Sequence, residues 1–258
     1  MTLLQALLGF GSGSLVGFSL GLVGGGGSIL AVPLLVYVVG VANPHVAIGT
    51  SAVAVAANAA INLISHARKG AVKWRCAGVF AAAGVFGALI GAFVGQRVDG
   101  EKLLALFAIL MIVVGVLMLR RRSGDGSPDV RLGRGNIAKL AGAGLGTGLL
   151  SGFFGIGGGF LIVPGLIFAT GMPILNAMAS SLVGVTAFGV TTASSYAAAG
   201  LVDWRLAAVF VSGGVFGGLL GTRLAQLVNR RKGALNIVFA SLIFAVATYM
   251  LIQNLSVF

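Results

Sequence analysis

Two glycine-rich stretches are the places in this sequence where the backbone itself could bind a ligand. The first runs from Gly21 to Pro33, GLVGGGGSILAVP, and the second from Gly152 to Pro164, GFFGIGGGFLIVP. Glycine lets the chain leave helical geometry without steric cost, and a proline then suits the first turn of a new helix. In an apolar setting such a break frees N–H groups, which must face protein, water or a ligand. At the positive end of a helix dipole, these groups favour an anion.

We predict that the two breaks converge on one site for a sulfonate, sulfite or carboxylate, bound without a buried arginine. The proposed backbone donors, with the hydroxyl at the end of the first run, are Gly24, Gly25, Gly26, Gly27 and Ser28, then Gly155, Gly157, Gly158 and Gly159. Side chains of the helices that follow each break complete the predicted site: Thr50, Ser51 and Asn58, then Ser180 and Ser181.

Each of these assignments has a structural alternative. Glycines can simply allow close helix packing, which is the better explanation for the small-xxx-small faces Gly13, Gly17, Gly21 and Gly144, Gly148, Gly152. Four consecutive glycines exceed what packing needs. The hydroxyls of Thr50 and Ser51 serve equally well as helix caps. Asn58, with Asn62 four residues on, is equally typical of an amide that bonds a neighbouring helix.

The ionisable residues argue against a cation as ligand. All five acidic residues fall in predicted loops or at helix ends: Asp99, Glu101, Asp125, Asp129 and Asp203. Cation-coupled carriers commonly use carboxylates within the membrane, and metal sites need clustered His, Cys or carboxylate ligands. The chain has two histidines and one cysteine. No nucleophile–base set, cofactor motif or metal-ligand pattern is visible, so we expect neither enzymatic activity nor a cofactor or metal.

Composition predicts an integral membrane protein without a soluble domain. Of the 258 residues, 58% are hydrophobic and 9% are charged, with a mean hydropathy of +1.07. Apolar runs of about 20 residues, the length that crosses the hydrocarbon layer, recur along the chain. The first 22 residues lack basic residues and a cleavage site, so we expect an uncleaved membrane segment. The net charge is +12, and the basic residues that produce it lie between apolar runs. There we expect them to set the orientation in the membrane and not to bind nucleic acid.

An internal duplication organises the chain. At an offset of 130 residues, Thr50-Ser51 aligns with Ser180-Ser181, and Gly70-x-Val72-x-Trp74 with Gly200-x-Val202-x-Trp204. We predict an N-terminal membrane repeat at 1–119, a linker at 120–135 and a C-terminal membrane repeat at 136–258. Each repeat has about five helical segments, giving eight long helices and two short broken or re-entrant ones. The predicted segments are 3–21, 28–40, 45–66, 74–96 and 103–119, then 137–154, 160–170, 175–198, 205–227 and 234–253.

The positive charges predict that the two repeats are inverted. The loops and the linker carry four, two, six, one and four Lys or Arg residues in chain order. Inverted repeats place fourteen of them on one side and three on the other, whereas parallel repeats give eleven and six. Because basic residues accumulate on the cytoplasmic side, we expect a cytoplasmic linker and both termini outside. A short segment that only dips into the membrane remains an alternative. Inverted repeats with broken helices are typical of secondary transporters.

The repeated motifs resemble the sulfite exporter TauE/SafE family. They are GGGGSILAVP, AIGTS and GAVKW in the first half, then GIGGGFLIVP, AMASS and GLVDW in the second. The resemblance covers nearly the whole chain. It implies a permease of the bacterial inner membrane that moves sulfite or an organosulfonate by alternating access. The alternatives are an anion channel and a carrier of another small carboxylate or inorganic anion. Coupling to protons through His66 stays open, and the glycine faces allow a homodimer as readily as internal packing.

Overall fold

The computed structural model describes residues 2–120, 134–155, 159–228, 244 and 246–253. Nearly all of them are helical. The first repeat forms α1 (Leu3–Val23), α2 (Gly24–Val38), α3 (Pro44–Arg68), α4 (Trp74–Gly95) and α5 (Gly100–Arg120). The second forms α6 (Arg134–Phe154), α7 (Gly159–Thr170), α8 (Ile174–Ala198) and α9 (Trp204–Val228). Residues 246–253 are also helical, but the rest of the last predicted segment and most of the 120–135 linker lie outside the description.

Six of the described helices are long and apolar enough to cross a membrane: Leu3–Leu22, Pro44–Arg68, Trp74–Gly95, Asn136–Phe154, Ile174–Ala198 and Trp204–Leu224. The prediction of an all-helical, multi-pass membrane protein is therefore confirmed. Their ends carry the expected signals. Thr2 and Gln5 form a reciprocal capping box at the start of α1, and the Asn43 side chain accepts the His45 N–H ahead of α3 at 2.9 Å.

The two short helices begin where the glycine stretches predict a break. α2 has 15 residues and α7 has 12, and a helix of 12 residues is roughly 18 Å long, less than the hydrocarbon thickness. The first break involves fewer residues than predicted, because within the glycine run from Gly24 to Gly27 only Gly24 has a positive φ, at 71°. The residues from Gly24 to Leu30 then form a 3₁₀ helix. The chain thus turns at one residue and resumes helical hydrogen bonding at once.

The duplication is visible in the turns of the backbone. The described residues with positive φ are all glycines and form three pairs: Gly24 and Gly155, Gly40 and Gly171, Gly70 and Gly200. The members of each pair are 130 or 131 residues apart. Only glycine enters this region without strain, so the same three turns are specified twice by the sequence.

The repeats interlock through glycines, as the small-xxx-small faces predict. α1 packs on α9, and α6 packs on α4, so the first helix of each repeat contacts the fourth helix of the other. A Cβ added to Gly13, Gly17 or Gly21 would collide with the α9 backbone near Phe210, Gly214 and Gly218. In the second pair, Gly144, Gly148 and Gly152 lie against Phe80, Gly84 and Ala88 in the same way. Residue numbers rise together along both pairs, so the paired helices run parallel.

Helices α3 and α8 pack against each other at the centre of the described structure. Gly49 lies against Tyr196, and Gly189 lies 2.9 Å from Ala56 when a Cβ is built on it. Residue numbers rise on one helix as they fall on the other, so these two equivalent helices are antiparallel. The same two helices hold five of the fourteen predicted site residues: Thr50, Ser51, Asn58, Ser180 and Ser181.

The glycine contacts generate a stability prediction. Gly148→Ala places a methyl group against the Gly84 backbone, and we expect it to lower the free energy of unfolding by about 1–3 kcal/mol through overpacking. Gly146→Ala, in the same helix and facing open space, is the matched control and should be neutral or stabilising by up to about 1 kcal/mol. Thermal unfolding of the detergent-solubilised protein measures both. Equal melting temperatures would contradict the α4–α6 packing.

Candidate functional site

The two glycine breaks meet each other between α3 and α8. A Cβ on Gly25 would lie 2.9 Å from the Gly159 Cα and 2.9 Å from the Ser181 Oγ, and one on Gly159 would collide with the Gly25 backbone. All residues of the first glycine run, from Gly24 to Ser28, are buried. Gly155 and Gly159 are buried as well. The predicted donors Gly157 and Gly158 lie outside the described residues.

Close packing explains part of the glycine run. A side chain at Gly27 would collide with the backbone of Ser19 and Leu20 in α1, and one at Gly25 with the second break. The packing alternative weighed for these glycines therefore applies to both positions. It does not exclude a ligand, because close approach of two backbones also brings their N–H groups together.

One hydrogen-bond contact joins each break to a helix of the other repeat. The Gly25 N–H donates to Ser181 Oγ at 3.2 Å. The Ser51 hydroxyl points to the Gly155 carbonyl at 3.5 Å and donates to the Ile48 carbonyl at 2.8 Å. Ser51 and Ser181 are equivalent positions, so the same hydroxyl of each repeat contacts the glycine break of the other, once as acceptor of an N–H and once as donor toward a carbonyl. The predicted site residues Ser51, Ser181, Gly25 and Gly155 are thus brought together in two contacts between the repeats.

Thr50 and Ser180 make a second reciprocal pair. Thr50 Oγ1 accepts the Asp203 N–H at 3.0 Å, and Ser180 Oγ accepts the Lys73 N–H at 2.9 Å. Both donors immediately precede a helix, α9 and α4, where N–H groups lack an intrahelical acceptor. The two hydroxyls therefore satisfy the helix starts of the opposite repeat. Ligand binding by Thr50 and Ser180 stays a prediction.

Asn58 differs from its repeat equivalent in chemistry. Its side chain is 0% exposed, and neither its amide nitrogen nor its amide oxygen has a hydrogen-bond partner. The amide lies against Gly214 of α9. The equivalent residue, Phe188, lies against Gly84 and stacks on Phe80 with ring centroids 6.2 Å apart. A buried amide without partners costs roughly 1–3 kcal/mol per unsatisfied group, so this position calls for a role other than packing.

Three further hydroxyls are fully buried without a partner, and the predicted site omitted them. They belong to Ser151, Thr192 and Tyr196. Ser151 directly precedes the second glycine stretch, which was the only signal for it in the sequence. Thr192 and Tyr196 follow Ser181 along α8. Burial is set by neighbouring helices, so the sequence alone could not single out these positions. Among the described residues, no group of three or more His, Cys, Asp or Glu could hold a metal ion.

Comparison with known proteins agrees with this architecture. The helices and the buried glycine breaks define a multi-pass membrane protein. The sequence profile of the sulfite exporter TauE/SafE family matches residues 8–250. The chain therefore belongs to the sulfite exporter TauE/SafE family of membrane transporters, as its repeated motifs predict.

Relatives from distant organisms carry the same general description. A probable membrane transporter protein of Xylella fastidiosa strain 9a5c is 54% identical over 252 residues, 97% of each chain. The probable membrane transporter protein YunE of Bacillus subtilis is 28% identical, covering 84% of this chain and 86% of its own. MJ0441 of Methanocaldococcus jannaschii, another probable membrane transporter protein, is 27% identical over 92% and 94% of the two chains. No solved structure matches the chain.

The cross-repeat bonds generate a second prediction. Thr50→Val removes the acceptor for the Asp203 N–H, and an unsatisfied buried donor should lower the free energy of unfolding by about 1–3 kcal/mol. Thr186→Val is the matched control. Its hydroxyl donates to the Leu182 carbonyl within its own helix, so we expect a change below about 0.5 kcal/mol. Equilibrium unfolding of both variants decides the matter, and a Thr50 variant as stable as the control would be evidence against the bond.

Proposed function

We propose that this protein is a secondary transporter that moves a small sulfur-containing anion, such as sulfite or an organosulfonate, across the bacterial inner membrane by alternating access. The two repeats are inverted in this proposal, with the 120–135 linker in the cytoplasm and both termini outside. The anion site consists of Gly24–Ser28, Gly155–Gly159, the Asn58 amide and four hydroxyls, those of Thr50, Ser51, Ser180 and Ser181.

The observation that carries the proposal is the meeting of the two glycine breaks, Gly25 against Gly159, between α3 and α8. Equivalent elements of the two repeats converge at one place, which is the arrangement expected of a central substrate site in a repeat-built carrier. The antiparallel packing of α3 on α8 supports inversion, because these helices are equivalent in sequence. The exchange of loop charges between the repeats supports it independently.

Anion recognition would rest on neutral donors. The Gly25 N–H is bonded to Ser181 Oγ, and the Ser181 hydroxyl itself donates to the Met178 carbonyl at 2.7 Å. An anion would accept the Gly25 N–H in place of this oxygen, and the hydroxyl can rotate to donate a second bond. The unpartnered amide of Asn58 offers two further N–H donors. The free-energy cost of burying this amide without a partner is offset when a charged acceptor binds to it.

The membrane potential is a sufficient driving force for export. Moving one negative charge outward down a potential of 100 mV releases about 2.3 kcal/mol. An anion carrier of this kind therefore works without a carboxylate inside the membrane. The alternative proposals are an anion channel and a carrier for another small carboxylate or inorganic anion, and both use the same site.

Transport assays separate these candidates. We expect purified protein in liposomes to move radiolabelled sulfite or methanesulfonate, with the rate rising when an imposed potential drives the anion. Unlabelled anion on the far side should accelerate uptake of the labelled anion by counterflow, because a carrier can bind the unlabelled anion before it returns to its first conformation. Flux without counterflow would favour the anion channel. Flux of carboxylates but not of sulfur anions would favour the carrier of another small anion. No movement of any sulfur anion, with or without a potential, would refute the proposal.

Asn58 allows function to be separated from stability. Asn58→Leu removes a buried amide without partners, so we expect the free energy of unfolding to stay equal or to rise by about 1 kcal/mol. A hydrogen bond to a charged ligand is worth about 1.5–3 kcal/mol, so the Michaelis constant for the anion should rise about 10- to 100-fold.

Asn176→Leu is the matched control for this experiment. The Asn176 amide donates to the Ala71 carbonyl at 2.8 Å, so its loss should destabilise the protein and leave the Michaelis constant unchanged. An unaltered Michaelis constant in Asn58→Leu would remove Asn58 from the site.

A further inference from the structure

The two histidines of the chain lie at opposite ends of α3, and each has a buried ring nitrogen without a partner. The atoms are Nδ1 of His45 and Nε2 of His66. They are 21 residues apart on one helix, which corresponds to about 32 Å, close to the full hydrocarbon thickness. Both therefore lie near the membrane boundaries, one at each end of the central helix pair.

Helix α8 packs differently against the two ends of α3 that carry the histidines. The ring of His45 lies 6.4 Å from that of Tyr196, whose buried hydroxyl also has no partner. At the other end, the repeat relation puts His66 in the place of Tyr196 and Leu175 in the place of His45. Side chains that differ in chemistry thus occupy equivalent positions, and a basic nitrogen is present at both ends.

The charged surroundings of the two ends also differ. Near His45, Gly100 contacts Pro44, which brings Asp99 and Glu101 to this end. The Asp203 N–H reaches Thr50, and Gln96 bonds Ser195 at 2.8 Å, which places the adjacent Arg97 here too. At the His66 end lie Arg68, Lys69 and, through its bond to Ser180, Lys73. Asn62 lies against Gly218 of α9, which brings Arg223 of that helix to the same end.

We propose that His45 and His66 are the two proton-binding sites of the transporter, each taking up a proton when its own end of α3 opens to water. A protonated imidazole has two N–H donors and needs an acceptor for each. In this conformation one nitrogen of each ring is buried without a partner, so the neutral form is the one that fits. Opening an end hydrates that nitrogen, and a proton then adds to its lone pair without breaking any other bond.

Alternation of the two ends then makes anion movement sensitive to pH. Closing an end removes water from its histidine and returns the proton to the side from which it came, so no net proton crosses the membrane. The pH on each side therefore biases the conformational equilibrium through a different histidine. In the proposed orientation His45 senses the outside and His66 the cytoplasm. This inference rests on the proposed alternating-access transport.

Flux of methanesulfonate, whose charge does not change near neutral pH, tests the inference. Between about pH 5.5 and about pH 7.5 the protonated fraction of an ordinary histidine falls about tenfold. We expect the wild-type rate to change severalfold when either side is taken through this range. His45→Gln should lose the response to outside pH only, and His66→Gln the response to cytoplasmic pH only. Glu101→Gln is the control at the His45 end and should keep both responses.

Several outcomes would overturn the inference. A wild-type flux that does not change with pH on either side would overturn it. Unchanged pH responses in both histidine variants would overturn it as well. Absence of any flux would count against the proposed function instead. In that case, nuclear magnetic resonance of ¹⁵N-histidine-labelled protein decides, because two histidines give two assignable rings. Titration of both rings over this range would support the inference, and two rings that stay unchanged would reject it.

Discussion

Backbone-to-backbone contact between the two repeats is the constraint on which the rest of this structure depends. Lipid tails are as apolar as leucine, so membrane helices associate through close packing and hydrogen bonding. Gly17 on α1 and Gly148 on α6 lie directly against the backbones of α9 and α4. Each repeat is thereby held by its partner and cannot bury its own first helix alone. The arrangement leaves α3 and α8 between the two glycine-packed pairs, and it brings both breaks to that central position.

Polar groups at this centre follow from the same arrangement. Because water is absent from the hydrocarbon layer, every N–H that a break or a helix start releases must find an acceptor. Ser181 and Ser180 accept such donors from the first repeat, and Thr50 accepts one from the second. All three bonds cross between the repeats, and those of Ser180 and Thr50 form an equivalent pair. They tie two helix starts and the first break to helices of the opposite repeat.

The halves share a backbone plan but differ in side-chain chemistry. Asn58 has Phe188 as its counterpart, His66 has Tyr196, and His45 has Leu175. The repeats therefore place different chemical groups at equivalent positions of the same backbone plan. An amide without partners stands on one side and a stacked phenyl ring on the other. Similarity of backbone thus coexists with a difference in polarity between the repeats.

The sequence by itself determined the membrane class, the family, the helices and the duplication. These follow from local features: apolar run length, glycine and proline positions, and motifs that occur twice. The small-xxx-small faces at Gly13 and Gly144 were also predictable, because their spacing directly encodes a helix face. Only the tertiary structure decided which helices those faces meet, and that Thr50 and Ser180 accept N–H groups from the opposite repeat. It also decided that Asn58 is buried without a partner. Such facts depend on contacts between residues more than 100 positions apart, which no local pattern in one sequence specifies.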